Sequence, residues 1–464
     1  MTAWKIVAIF ALGLLGIAAL RDLGRLGDSL PWHRLYDFPD FYCAGTAINQ
    51  GADPYRYEPL HRCEHTVNRG PLYRADPSRV VPAPLPPYDF PPLRLLARLR
   101  FEQARALQAI AIVLAVAGSI AGLAALGVAL DVAALALILP AGYLLLDAGQ
   151  IVPFALLLLV FCGLALSRRQ DATAGALAAL MLLEPHLGLP VFAAILLFVP
   201  RGRIAALITA LLLLGISTMV AGTSGIAEYV LRVLPAQAAA EAGYVYQYSL
   251  TYLVSHVGLA TQAALLLGEV SYALMLVFGV WLGARLAMDL QRRELLAYLP
   301  AAFSVLGGSY VHMIDLPIAI PAALILTIAL RGRAQVVASL TVCLLAVPWI
   351  AVWIDKKLFL ACLFVVGALL MRLKVRPAIA LATFAAVAVV VYVFELHPPP
   401  PFPSTAATAT FSPADLAQVA WGAYVNAIGD PSPGWLLIKL PTWGALLALL
   451  GVAWSATARR LSQS

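Results

Sequence analysis

The sequence predicts an all-α polytopic membrane protein of about 12–14 transmembrane helices with a large first external loop. Three observations lead to this. Hydrophobic residues make up 62% of the chain and charged residues 12%, with a mean hydropathy of +0.87; a soluble domain carries about twice that share of charge. Apolar runs long enough to cross hydrocarbon, or nearly so, recur along almost the whole length. Basic residues gather in short connections: Arg168 with Arg169, Arg201 with Arg203, Arg292 with Arg293, Arg331 with Arg333, Arg372 with Lys374 and Arg376, and Arg459 with Arg460. That is the positive-inside pattern.

In chain order, the expected spans lie near 4–20, 107–129, 132–147, 150–166, 172–184, 187–200, 204–221, 270–289, 296–311, 314–330, 334–354, 358–371, 377–395 and 435–456. The run at 4–20 has the length of a signal peptide, but no small-residue cleavage site follows it, so it is expected to be a retained span. Counting outward from the basic connections puts the N-terminus and Arg459–Arg460 inside and the 21–104 loop outside. A full span over 252–267 would throw Arg292 and Arg293 outside, so 249–267 is expected to be a re-entrant or interfacial helix. It belongs to an external segment, 222–268, whose polar part runs over 222–250. A third external segment, 397–434, opens on the Pro-rich HPPPPFPS, which is no helix. It continues into PADLAQVAWGAYVNAI, whose helical spacing suits an amphipathic helix on the membrane surface. The whole of 1–464 reads as one integral membrane domain.

The formal charge of +7 belongs to these inner connections, so nucleic acid is not an expected partner. No P-loop or Gly-x-Gly-x-x-Gly follows a strand. Cys162, Cys343 and Cys362 lie in apolar runs and read as small hydrophobes, whereas Cys43 and Cys63 share the external loop. There a disulfide and two free thiols both remain open.

Chemistry is expected where ionisable residues meet the membrane, because each is costly there and faces a cavity or a partner. In LYDFPDFYCAGTAINQGADPY, Asp37 precedes a helix with Pro39 in its first turn, the pattern of an N-cap. Asp37 and Asp40, three apart and on one helix face, also suit a general base above the membrane. Three turns open on the same side: Asp147 with Gly149 and Gln150; Glu184-Pro185-His186; and His312 with Asp315 in GSYVHMIDLP. Each reads as interfacial polarity taken alone. Together with the acidic loop they form a candidate site, in which Asp315 orients His312 or holds it protonated against a phosphate. A metal held by His186, His312 and nearby carboxylates is the rival reading, without short-range spacing such as His-Glu-x-x-His to support it. No metal or cofactor is expected.

These segments, in order, resemble the bacterial GT-C glycosyltransferases of family 87. That family includes polyprenyl-phosphate-mannose-dependent mannosyltransferases that elongate phosphatidylinositol mannosides. The resemblance rests on Asp37-Phe38, Tyr42 with Ala44, Gly51 with Pro54 and Tyr55, and Phe90-Pro91-Pro92-Leu93. It continues through Gly149-Gln150, Glu184-Pro185, and His312 with Asp315. It spans residues 37–330; residues 331–464 match only in being hydrophobic. Where the family has a Lys before the Pro, this chain has Glu184, which leaves His186 to supply positive character.

The resemblance implies a GT-C fold and an inverting transfer of a sugar, mannose by analogy, from a polyprenyl-phosphate donor to a lipid or glycan acceptor. The transfer would take place on the outer face of the plasma membrane. Asp37, with Asp40 as its nearest alternative, would be the base. His312, Asp315, Gln150, Glu184, His186, Tyr42 and Tyr55 would hold donor phosphate and substrate. Two other classes remain: a polytopic secondary transporter or flippase for a lipid-linked or small polar substrate, and a scaffold protein. The sequence lacks the internal repeat of inverted-repeat transporters.

Overall fold

The computed structural model describes residues 3–27, 30–68, 76–399, 410–428 and 432–461. Its helices include α1 (Ala3–Gly24), α2 (Phe38–Asn49), α3 (Tyr57–Val67), α4 (Phe101–Ala125), α5 (Leu130–Pro140, extended by a π-helical turn to Leu146), α6 (Val152–Ser167) and α7 (Asp171–Leu180). They continue with α8 (Pro185–Phe198), α9 (Arg203–Glu228), α10 (Leu234–Ala240), α11 (Leu250–His256), α12 (Thr261–Asp289) and α13 (Leu295–Ser304). Further on come α14 (Ile320–Ala329), α15 (Gly332–Leu345), α16 (Trp349–Ile354), α17 (Phe359–Arg372), α18 (Pro377–Leu396), α19 (Ala417–Ile428) and α20 (Leu440–Leu461). Among the described residues, six stretches are helical, long and apolar enough to cross a membrane: Ile6–Gly24, Phe101–Ala125, Pro200–Ala240, Thr261–Asp289, Pro377–Leu396 and Gly434–Ala458. Together with the composition they make this a multi-pass membrane protein.

The chain shuttles between two ends. At one end lie the connections near 126–131, 168–171, 292–293 and 372, tied to one another. Arg293 reaches Asp171 at 2.8 Å, Arg292 donates to the Leu126 carbonyl at 3.0 Å, and Arg372 pairs with Asp131. At the other end lie the turns 147–151, 184–186, 305–315 and 346–358, together with the loop that carries α2 and α3. Helices too short to span about 30 Å of hydrocarbon alone sit inside the bundle. All ten residues of α13 are buried, and at 1.5 Å per residue they rise only about 15 Å. The non-helical backbone after α13 lines a cavity, where irregular chain is tolerated.

Four expectations are corrected. Residues 249–267 are not one re-entrant helix. Ser249 caps α11 by accepting from the Tyr252 N–H at 3.1 Å, Gly258 at φ +97° ends it, and α12 starts at Thr261. The span expected at 270–289 therefore begins nine residues earlier, and α11 is a separate short helix. The polar segment 222–250 is largely helical. Gly222 at φ +68° kinks α9, and helix then continues through a π turn into α10. The span expected at 334–354 breaks between α15 and α16 around Pro348, because proline cannot donate to the ladder. Finally, α19 packs on α10 and α3 through Ala417, Ala420, Trp421 and Val425, all buried, so the apolar face expected on the membrane surface is covered by protein instead. Of HPPPPFPS, the part from residue 400 on lies outside the described residues.

Close helix approach depends on small residues. A Cβ on Gly175 of α7 would lie 2.1 Å from the Gly202 carbonyl oxygen, a backbone atom that cannot swing aside. Gly175→Ala is expected to cost about 1–3 kcal/mol through overpacking and to lower the melting temperature in detergent. Gly215→Ala on α9, where a Cβ meets nothing within 4 Å, should leave it unchanged.

Candidate active site

A cavity of about 750 Å³ opens at the turn end, and seven of the nine residues expected in a site line it: Asp37, Asp40, Gln150, Glu184, His186, His312 and Asp315. Asp147 lines it as well. Tyr42 and Tyr55 are not among the lining residues. Their hydroxyls donate to the carbonyls of Leu99 (2.8 Å) and Leu85 (2.7 Å), and their rings pack against Phe101 and Phe90, so they hold the loop together.

Asp37 is delivered by backbone docking. The Tyr36 and Asp37 N–H groups donate to the carbonyls of Asp147 (2.8 Å) and Ala148 (2.9 Å), which lays the start of α2 on the 147–150 turn. Gly149 is required in that turn: its φ is +76° and a Cβ would meet Leu35 at 2.9 Å. Asp37 occupies the N-cap position of α2, yet its side chain makes no capping hydrogen bond. The carboxylate accepts instead from the Gln150 amide. Burial pushes its pKa up to about 6, opposed by the Gln150 hydrogen bond and by the charge of Arg79. Such a carboxylate is ionised at neutral pH but poised to take a proton. Asp40, one turn on, is buried at 1% exposure.

The spacing of His312 and Asp315 suggests a pair, and the two do meet, as a reciprocal cap on the turn that His312 opens, but the imidazole beside the Asp315 carboxylate is another. Asp315 accepts from the His312 backbone N–H at 2.7 Å, and its partner imidazole is that of His186, 3.2 Å away. The other nitrogen of His186 lies 3.7 Å from Glu184. Burial lowers the His312 pKa to about 4, with Lys439 adding to the shift and Asp315 opposing it, so this imidazole is neutral. Burial raises Glu184 to about 8 and Asp147 to about 7. Asp147 is held by Arg34 at 3.5 Å, and Arg34 also reaches Asp355 at 3.7 Å. Among the described residues, no three His, Cys, Asp or Glu side chains are grouped as metal ligands.

Several lining residues escaped the sequence reading: Arg34, Arg79, Glu241, Tyr244, Tyr246, Asp355, Trp421 and Tyr424. Glu241 accepts from Gln237 (2.9 Å), Gln247 (2.5 Å) and Trp421 (3.0 Å), which ties α10, the 244–248 strand-like segment and α19 into one roof. Beneath that roof, fully buried Lys439 donates to the Gln247 carbonyl at 2.6 Å and lies 3.2 Å from the Tyr252 ring centroid. A lone lysine inside the apolar run GWLLIKLP was visible by the same cost argument that singled out the acids.

Gln150 gives a direct check on the base. A hydrogen bond to an ionised group is worth about 1.5–3 kcal/mol. Gln150→Leu should therefore move the acid limb of any Asp37-dependent activity to higher pH and cost about tenfold at pH 6. An unmoved limb would show that Asp37 does not titrate in turnover.

Comparison with known proteins returns no match to a family model, to a curated protein or to a solved structure.

Proposed function

We propose that the protein is a membrane-embedded, inverting glycosyltransferase of the GT-C type. It takes a sugar from a polyprenyl-phosphate donor and places it on a lipid or glycan hydroxyl at the outer face of the plasma membrane. The observation that carries the reading is the uncapped Asp37 carboxylate, held by Gln150 in a 750 Å³ cavity at the end of the bundle opposite the basic connections. By the positive-inside rule those connections are cytoplasmic, which puts the cavity outside. Its volume suits a sugar with two headgroups. The motif order that resembles family 87 accords with this reading, and mannose is the sugar that the resemblance suggests.

In the reaction the acceptor hydroxyl gives its proton to Asp37 while its oxygen bonds to the anomeric carbon from the face opposite the phosphate. The bond from the anomeric carbon to the phosphate oxygen breaks, and its electron pair leaves with the polyprenyl phosphate. No nucleotide is consumed. Donors aimed at the departing phosphate stabilise the charge that develops there.

The test is transfer from a radiolabelled polyprenyl-phosphate sugar to a membrane lipid extract, with the purified protein in liposomes. Label is expected in the acceptor fraction with release of polyprenyl phosphate. A flippase would move the donor across the bilayer with its sugar–phosphate bond intact, and that outcome would sink the transferase reading.

A further inference from the structure

Buried polar atoms are paired almost without exception, so an unpaired one on a residue that lines a cavity calls for a partner from outside the protein. Gln237, on α10, lines the cavity and is 5% exposed. Its Nε2 donates to the Glu241 carboxylate at 2.9 Å. Its Oε1 is buried and accepts from no group among the described residues. The orientation of the amide is set by Glu241, which also accepts from Gln247 at 2.5 Å and from Trp421 at 3.0 Å, because an ionised carboxylate takes only donors. A proton on Glu241 would turn the amide over and leave its N–H as the unpaired group. A hydroxyl suits either state, since it both donates and accepts, whereas a phosphate oxygen suits only the second.

The surroundings of that amide are aromatic. Trp421 stacks on Tyr424 with ring centroids 5.3 Å apart, Tyr244 meets Trp421 edge-on at 5.2 Å, and all three line the cavity. Trp421 and Gln237 donate to the same Glu241 oxygen, so the ring and the unpaired amide lie side by side. Aromatic walls with a few polar groups set among them match a sugar ring, which has apolar C–H faces and hydroxyls at its edge. Burial raises the Glu241 pKa to about 8, and the charges of Asp37 and Asp315 add to the shift. The patch therefore shares the cavity with the candidate base, within electrostatic reach of it. None of Gln237, Glu241, Tyr244, Trp421 and Tyr424 belongs to the motifs that resemble family 87.

The geometry points to Gln237 as a specificity-determining residue that holds a second hydroxyl of a sugar-bearing acceptor while the attacking hydroxyl lies at Asp37, an assignment that rests on the transferase reading. A plain lipid alcohol has no second hydroxyl to offer and leaves the amide unpaired.

Initial rates of transfer from a radiolabelled polyprenyl-phosphate sugar are measured with four kinds of acceptor: a panel of octyl hexosides, the single-deoxy analogues of the best of them, octanol, and a membrane lipid extract. Wild type should use a hexoside in preference to octanol. One deoxy analogue that still accepts sugar should show kcat/KM lower by about tenfold, the scale of one hydrogen bond to a buried group. Gln237→Met should raise the hexoside KM by about tenfold, leave the donor KM unchanged, and no longer distinguish the hexoside from that analogue. Equal loss on the hexoside and every analogue is a packing effect and overturns the assignment. So does a wild type that uses octanol as well as any hexoside, is indifferent to every deoxy position, or uses the extract but no hexoside; these results leave the transferase reading standing. A rise in donor KM instead puts Gln237 on the donor sugar and overturns the acceptor assignment. Transfer to none of the acceptors, the extract included, overturns both. If Gln237→Met does not fold, Gln237→Asn keeps the amide and draws it back by one methylene. Loss of the discrimination then supports the assignment, and its retention overturns it.

Discussion

Asp37→Asn is expected to reduce kcat/KM for sugar transfer by about 10³-fold, within the 10²–10⁴ that a positioned general base contributes, while the protein folds as before. The substitution keeps the shape of the side chain and its reach to Gln150 but removes the proton acceptor. Folding should be spared because nothing structural depends on the charge. The carboxylate makes no capping bond to α2, and the contacts that dock this segment run from the Tyr36 and Asp37 N–H groups to the carbonyls of Asp147 and Ala148. Asp40→Asn should cost less, since Asp40 is the more deeply buried of the two and lies a turn further from Gln150. The measurement is initial-rate transfer alongside melting temperature; an Asp37→Asn variant within tenfold of wild type at an unchanged melting temperature removes Asp37 from the mechanism.

The same carboxylate sets the pH dependence. Its pKa is raised above the ordinary carboxyl value to about 6, and the base works only when ionised. Activity should therefore fall about tenfold per unit below pH ~6. On the alkaline side, Asp147, Glu184 and Glu241 are pushed up to about 7, 8 and 8 and are largely neutral at lower pH. As pH rises through those values they ionise in the same cavity and repel an anionic donor. The profile of kcat/KM should be bell-shaped, with limbs that belong to the coupled set and not to single residues.

What was legible in the sequence and what was not divides along range of interaction. The polytopic, all-helical character was legible because each apolar run reports its own environment. The acids at 147, 184 and 315 were legible as site candidates because a charge near hydrocarbon is costly wherever the rest of the chain lies. The partners of those groups were not legible. His312 and Asp315 are three apart and do cap one another, but a buried carboxylate also takes the nearest donors in space, and His186 arrives from another helix. Arg79 sits in a loop with no periodic signal, and its position depends on Glu64 and His65 of α3. The aromatic roof comes from α19, which meets the first loop through the Arg56–Leu416 bridge. A contact spanning that much of the chain leaves no trace in either segment alone.

Removing the Cys43–Cys63 disulfide is expected to have the second-largest effect. The bond joins α2, which opens at Asp37, to α3, across a sequence separation of 20 with Cα atoms 5.6 Å apart. Closing a loop of that size restrains the unfolded chain by about 3 kcal/mol. The native consequence is more specific. From the residues beside Cys63, Glu64 accepts from the Val81 N–H at 3.0 Å and His65 holds the Arg79 carbonyl. The disulfide therefore fixes the helix that follows Asp37 relative to the loop that carries Arg79. A Cys43→Ala, Cys63→Ala double variant should melt lower in detergent, and below its melting temperature should also lose any Asp37-dependent activity at intact helix content, because two segments that line one cavity are no longer held at one spacing. A variant with an unchanged melting temperature would show that the restraint is redundant. Disulfides persist in oxidising compartments and are rare in the cytosol, so thiol alkylation of intact cells checks sidedness as well. Cys43 and Cys63 should label only after reduction; labelling without reductant would put the loop, and the cavity with it, on the cytoplasmic side.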